Sequence, residues 1–209
     1  MLYIKCITVI VMVLFSRLAG AGVYEDMLNA VKRDEHTAVN QLLKRGVDAN
    51  TVDPEGNSLL ILAVKEGSFG VVKALLAARA PLNARNAHGE TALMLAALNG
   101  HLEVARQLLV QGAEVNPPGG WTPLIYAGVK GSVEISRLLL AYGARVNATA
   151  ENGFTALMMA AREGHSDVVA LLLANGADPD LKSDSGVTAL SAAKERKDIV
   201  EMLLKAGAR

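Results

Sequence analysis

Five stretches of this chain are copies of one another. Residues 58–79 read SLLILAVKEGSFGVVKALLAAR, 91–112 TALMLAALNGHLEVARQLLVQG, 122–143 TPLIYAGVKGSVEISRLLLAYG and 155–176 TALMMAAREGHSDVVALLLANG. Residues 188–207, TALSAAKERKDIVEMLLKAG, are two residues shorter. Their first residues, Ser58, Thr91, Thr122, Thr155 and Thr188, stand 33, 31, 33 and 33 apart. A sixth, divergent copy, EDMLNAVKRDEHTAVNQLLKRG, occupies 25–46. A repeat of that length constrains the fold strongly. One such unit cannot bury its own apolar stripe, so the copies must stack.

Each copy carries the signals of two short helices. The leading Ser or Thr hydroxyl can accept from the unpaired amides of the first helix. That helix is short and Ala-rich, for example Thr91 to Asn99, and Gly100 stops it. The second, Leu102 to Gln111, places Leu102, Val104, Ala105, Leu108 and Leu109 on one face, and Gly112 ends it. Apolar residues are 51% of the chain but aromatics only 4%, so the core is one of Ala, Leu, Val and Met between close-set helices.

The Gly-x-Thr-Ala/Pro-Leu stretch, the Ala-Ala pair, Gly-His before the second helix, the Leu run and Gly-Ala-x-x-Asn resemble the ankyrin-repeat family over nearly all of 25–209. The resemblance implies an all-α solenoid of about six stacked helix pairs with projecting β-hairpin fingers. It is expected to form one domain, 22–209. The polar first copy and the shortened last copy, Lys194-Glu195-Arg196-Lys197-Asp198, are expected as solvent-facing caps. The chain departs from the family where a His commonly follows Thr-x-Leu. Ile61, Met94, Ile125, Met158 and Ser191 stand there, which predicts apolar packing in place of a polar contact.

One finger breaks the register. Twelve steps separate Gly46 from Ser58, Arg79 from Thr91, Gly143 from Thr155 and Gly176 from Thr188, but only ten separate Gly112 from Thr122. That finger reads NPPGGW. Pro117 and Pro118 cannot donate main-chain hydrogen bonds, and Gly119 and Gly120 permit a tight reversal. It is expected to be clipped, with Trp121, the single Trp, just before the capping Thr122.

In the family, the residue before that Thr and those ending the first helix face the concave surface, where ligands are met. The resemblance therefore implies a partner-binding patch of Glu90, Leu98, Trp121, Val129, Lys130, Phe154 and Arg162. An apolar centre with a charged rim is the usual composition of a protein interface, and Trp is enriched among binding hot spots. The alternative is that Trp121 and Phe154 only pack over neighbouring fingers.

The N-terminal segment reads as an address. Lys5 precedes ten apolar residues, CITVIVMVLF, and Ala19-Gly20-Ala21 follows. A charged start, a short apolar run and an A-x-A site mark a signal peptide, 1–21, cut after Ala21. An uncleaved anchor is the alternative. Cleavage removes Cys6, the only cysteine, so an oxidising compartment would find no thiol. The expected location is the periplasm, with secretion as the alternative. Asn147-Ala148-Thr149 matches a glycosylation acceptor.

Site chemistry is sparse. Lys plus Arg equals Asp plus Glu, 21 each, so no net field favours nucleic acid. His101 and His165 share one slot in two copies, a structural slot in the family; they lie a repeat or more apart and no Cys accompanies them, which argues against a metal role. No phosphate loop or nucleophile motif is present. Neither a cofactor nor a metal is expected, and no membrane contact after cleavage. The expected activity is non-enzymatic: an envelope adaptor or scaffold, acting as a monomer, that binds a protein partner. An inhibitor or immunity-type protein that blocks an exported enzyme is the alternative, and an enzyme or metal protein the remote one.

Overall fold

The computed structural model describes residues 22–194 and 196–209. The expected signal peptide, its cleavage site and Glu195 lie outside them. Among the described residues there are twelve helices in six pairs. The first pair is α1, described over residues 22–32, and α2, His36–Lys44. Then come α3 Leu59–Lys65 with α4 Phe69–Ala77, and α5 Ala92–Asn99 with α6 Leu102–Val110. They are followed by α7 Pro123–Lys130 with α8 Val133–Ala141, and α9 Ala156–Glu163 with α10 Ser166–Ala174. The last pair is α11 Ala189–Ala193 with α12 Lys197–Lys205.

The leading hydroxyls cap as the sequence implies. Ser58, Thr91, Thr122, Thr155 and Thr188 accept from the amides of Ile61, Met94, Ile125, Met158 and Ser191. Gly100, Gly131 and Gly164 end their helices in the left-handed region, at φ 80°, 77° and 89°. The slot where the family has His is not purely apolar, contrary to expectation. The Thr91 amide donates to Met94 Sδ at 3.2 Å, and the Thr188 amide to Ser191 Oγ at 2.9 Å. A thioether is a weak acceptor and a hydroxyl a better one, so two of the five slots keep a polar contact.

One apolar spine runs through the stack. Leu60, Leu93, Leu124 and Leu157 come from the first helices, and Val72, Ala105, Leu139 and Leu172 from the second; all are buried. First helices of adjacent pairs meet closely, while second helices meet sparsely. The denser row is the inner side of the curve, which leaves the first helices and the fingers on the concave flank.

Four fingers close alike. In each, an amide three residues on donates to the carbonyl of Asp53, Asn86, Ala150 or Ser183, whose own amide donates to a carbonyl four residues on. Strand character is confined to two isolated antiparallel bridges, Val52 with Ser58 and Thr149 with Thr155. At the finger bases, Asn83, Asn116 and Asn147 accept through Oδ1 from the amides of Glu114, Arg145 and Asp178, one repeat onward. Asp180 does the same for Arg209. These bonds stitch each repeat to the next.

Candidate protein-binding face

The residues before the capping hydroxyls are joined by hydrogen bonds and ring contact over three fingers. Asn86 Nδ2 donates to Asn57 Oδ1 at 3.1 Å and to Glu90 Oε2 at 2.9 Å. Glu90 Oε1 accepts from the Tyr126 hydroxyl at 3.0 Å. The Tyr126 ring lies 5.2 Å from that of Trp121, tilted by 39°. Glu90, Trp121 and Tyr126 are half-buried. Burial and the Glu90 carboxylate push the Tyr126 phenol far above its ordinary range. A small cleft of about 100 Å³ is lined by Glu90, Met94, Trp121, Tyr126, Arg85 and His88 among others.

Tyr126 and Asn86 were missed in the sequence. Tyr126 sits in α7 where the other first helices carry Leu62, Leu95, Met159 and Ala192, all buried. A phenol in that apolar slot needs a partner for its hydroxyl, which was the available signal.

Phe154 and Arg162 form a second group. The Arg162 guanidinium stands 5.8 Å from the Phe154 ring centre and pairs with Glu163 at 3.0 Å. Arg196 donates to the Arg162 carbonyl. The equivalent carbonyl one repeat earlier, that of Val129, is 3.0 Å from His165 Nε2. Arg196 thus does for the last interface what His165 does for the one before it. His101, in the same slot of its own repeat, has its ring against Gly67. Leu98 and Val129 are half-buried against the core; Lys130 is exposed, its stem lying over Gly100. Among the described residues Trp121 and Tyr126 are the only aromatic pair, so Trp121 and Phe154 are not stacked together.

The clipped finger lacks the closing bonds of the other four. Pro117 occupies the place of Asp53, Asn86, Ala150 and Ser183 and has no amide to give. Arg85 reaches across from the preceding finger and donates to the Pro118 carbonyl at 2.7 Å. A notch of about 640 Å³ lies beside it, between Pro117, Gly120 and Thr122 and the next finger's Arg145 and Thr149.

The Asn147 amide of the acceptor motif is committed to the stack. It donates to the Gly176 carbonyl at 3.2 Å while its oxygen holds Asp178. Among the described residues no three His, Cys, Asp or Glu side chains gather as a metal would need, and no helix is long and apolar enough to cross a membrane.

Helix pairs stacked on a shared spine, with fingers along one flank, define a repeat solenoid. The family pattern described as ankyrin repeats (3 copies) matches residues 27–118, 89–150, 116–183 and 149–209, and the chain belongs to that family. No curated protein matches it. Among solved structures it is similar to the crystal structure of the human ASB11 ankyrin repeat domain, at 27% identity and a TM-score of 0.81. That match covers 88% of this chain and 84% of the other. Ankyrin repeats are as a class modules that bind protein partners.

Proposed function

We propose that this chain is an exported adaptor or scaffold of the cell envelope that grips a protein partner on its concave flank. The observation that carries the reading is the Trp121–Tyr126–Glu90 cluster. It sets a large half-exposed aromatic at mid-stack against the Tyr126 ring, which its own hydrogen bond to Glu90 holds in place. A pre-set side chain loses little freedom on binding, which favours affinity. Leu98, Val129 and Phe154 extend the apolar centre, and Lys130 and Arg162 supply the rim. Export rests on the N-terminal segment, and the periplasm fits a mature chain without cysteine.

Capture from an envelope fraction with residues 22–209 as bait tests this reading. Trp121→Ala is expected to weaken the captured complex by more than ~2 kcal/mol, roughly thirtyfold, with helix content unchanged. Unchanged capture with a lower melting temperature makes Trp121 a packing residue and overturns the patch. If the captured partner is an enzyme whose activity is abolished at one-to-one stoichiometry, the inhibitor reading replaces the adaptor.

A further inference from the structure

Two aromatic residues hold the position before the capping Thr in consecutive repeats, and they differ in what faces them. The Phe154 ring has the Arg162 guanidinium 5.8 Å from its centre. In the repeat before it, Val129 stands in the place of Arg162. Trp121 therefore lacks the cation that its counterpart has. Among the described residues none stands over its ring or over that of Tyr126.

The carboxylate beside these rings is uncompensated as well. Glu90 is half-buried and accepts from the Asn86 side-chain amide and the Tyr126 hydroxyl. Both donors are neutral, so they satisfy its oxygens without cancelling its charge. No described Lys, Arg or His forms an ion pair with it. A carboxylate drawn partly out of water gains most from a cation. Glu151, exposed and on the next finger, lines the same cleft, its carboxylate lying over Gly120. It too has no ion-pair partner among the described residues. Arg85 is the one Lys or Arg of the lining, and it is tied to the turn through the Gly89 and Pro118 carbonyls. Two carboxylates against one tied guanidinium favour an incoming positive charge.

We infer that the cleft takes one basic side chain, Lys or Arg, of the protein partner, its stem against the Trp121 ring and its cation toward Glu90 and Glu151. This deepens the function proposed above and rests on it. The cleft's volume of about 100 Å³ is well under the ~300–1,000 Å³ of pockets that hold small molecules, so it suits a side chain and not a whole ligand. The attraction of a cation to an indole face strengthens as both leave water. The partner's side chain does for Trp121 what Arg162 does for Phe154.

A phage-displayed library of random twelve-residue peptides without Trp is the probe. Trp121 is the single Trp of the chain, so its emission reads binding at the cleft. Selected peptides are expected to carry Lys or Arg and to change that emission. They should lose about tenfold in affinity when the Lys is replaced by norleucine or the Arg by citrulline, which keep the stem and drop the charge. Glu90→Gln combined with Glu151→Gln is expected to weaken these peptides, and any protein captured from the envelope fraction, by about tenfold. Glu151→Gln alone gives up no hydrogen bond to a described residue and is expected to weaken them about threefold, which keeps the test open should the double variant misfold. Peptides that need Trp121 yet tolerate the neutral replacements and both Gln variants overturn the cation cleft but not the concave-face reading. Peptides that carry Asp or Glu in place of the basic residue do the same. Failure to select any peptide, with no capture from the envelope fraction, overturns both.

Discussion

The Tyr126 hydroxyl donates to Glu90 Oε1 at 3.0 Å across two neighbouring repeats. The bond spans the clipped finger's boundary and keeps a phenol neutral beside a carboxylate.

That neutrality has a pH signature. The folded-state pKa of Tyr126 is raised above its unfolded value of about 10. Its stabilising contribution is therefore fully present below that value and is lost as pH rises above it toward the folded pKa. Tyr126→Phe is expected to lower stability by about 1 kcal/mol at pH 8. The deficit should shrink as pH rises beyond about 10. Urea unfolding of both proteins from pH 8 to pH 11 checks this, and an absorbance titration should show a tyrosine that resists ionisation.

The finger-base asparagines should not be equivalent. Asn147→Ala removes two bonds to the next repeat and is expected to cost about 1–2 kcal/mol. Asn50 occupies the same slot in its own repeat, but Pro81 stands where the acceptance would occur and has no amide. Asn50 turns back to Asp48 instead, within its own turn. Asn50→Ala is therefore expected within about 0.5 kcal/mol of wild type. Parallel denaturant curves decide.

Gly128 is set by packing rather than by conformation. A Cβ there would lie 2.8 Å from the Ala156 carbonyl oxygen of α9. Ala is the better helix former by about 1 kcal/mol. Gly128→Ala nonetheless forces two helices apart and is expected to destabilise by about 1–3 kcal/mol. A rise in melting temperature would show that the helices can shift at no cost.

Arg79 holds φ at 60°, in the slot where Gly46, Gly112, Gly143, Gly176 and Gly207 also have positive φ. A side chain in the left-handed region costs roughly 1 kcal/mol. Arg79→Gly is expected to recover much of it, offset in part by the freer unfolded chain. Differential scanning calorimetry should register a higher midpoint.

The stack was legible in the sequence because its signals repeat: capping hydroxyls, stop glycines and the apolar stripe recur in register. The shortened finger was legible by the same logic, from ten steps where twelve were due. Tyr126 was not, because in an apolar slot its ring satisfies the pattern and its hydroxyl is seen only beside Glu90 from the previous repeat. Met94 was read by hydropathy alone, yet its sulfur accepts the Thr91 amide. The asparagine ladder was visible as a motif, but its direction, from each finger base onward to the next, is a property of the stacked chain. Cross-repeat contacts are what a single copy cannot declare.

The unequal density of the two helix rows has a mechanical consequence. First helices abut through Ala and Gly, as where Gly128 meets Ala156, while the second helices touch lightly. Straightening the arc must lengthen the inner row of first helices, so tension on the two ends is resisted where the contacts are densest. The molecule is then a leaf spring whose resting bow suits one shape of cargo, and stretching it loosens the fit along every finger at once.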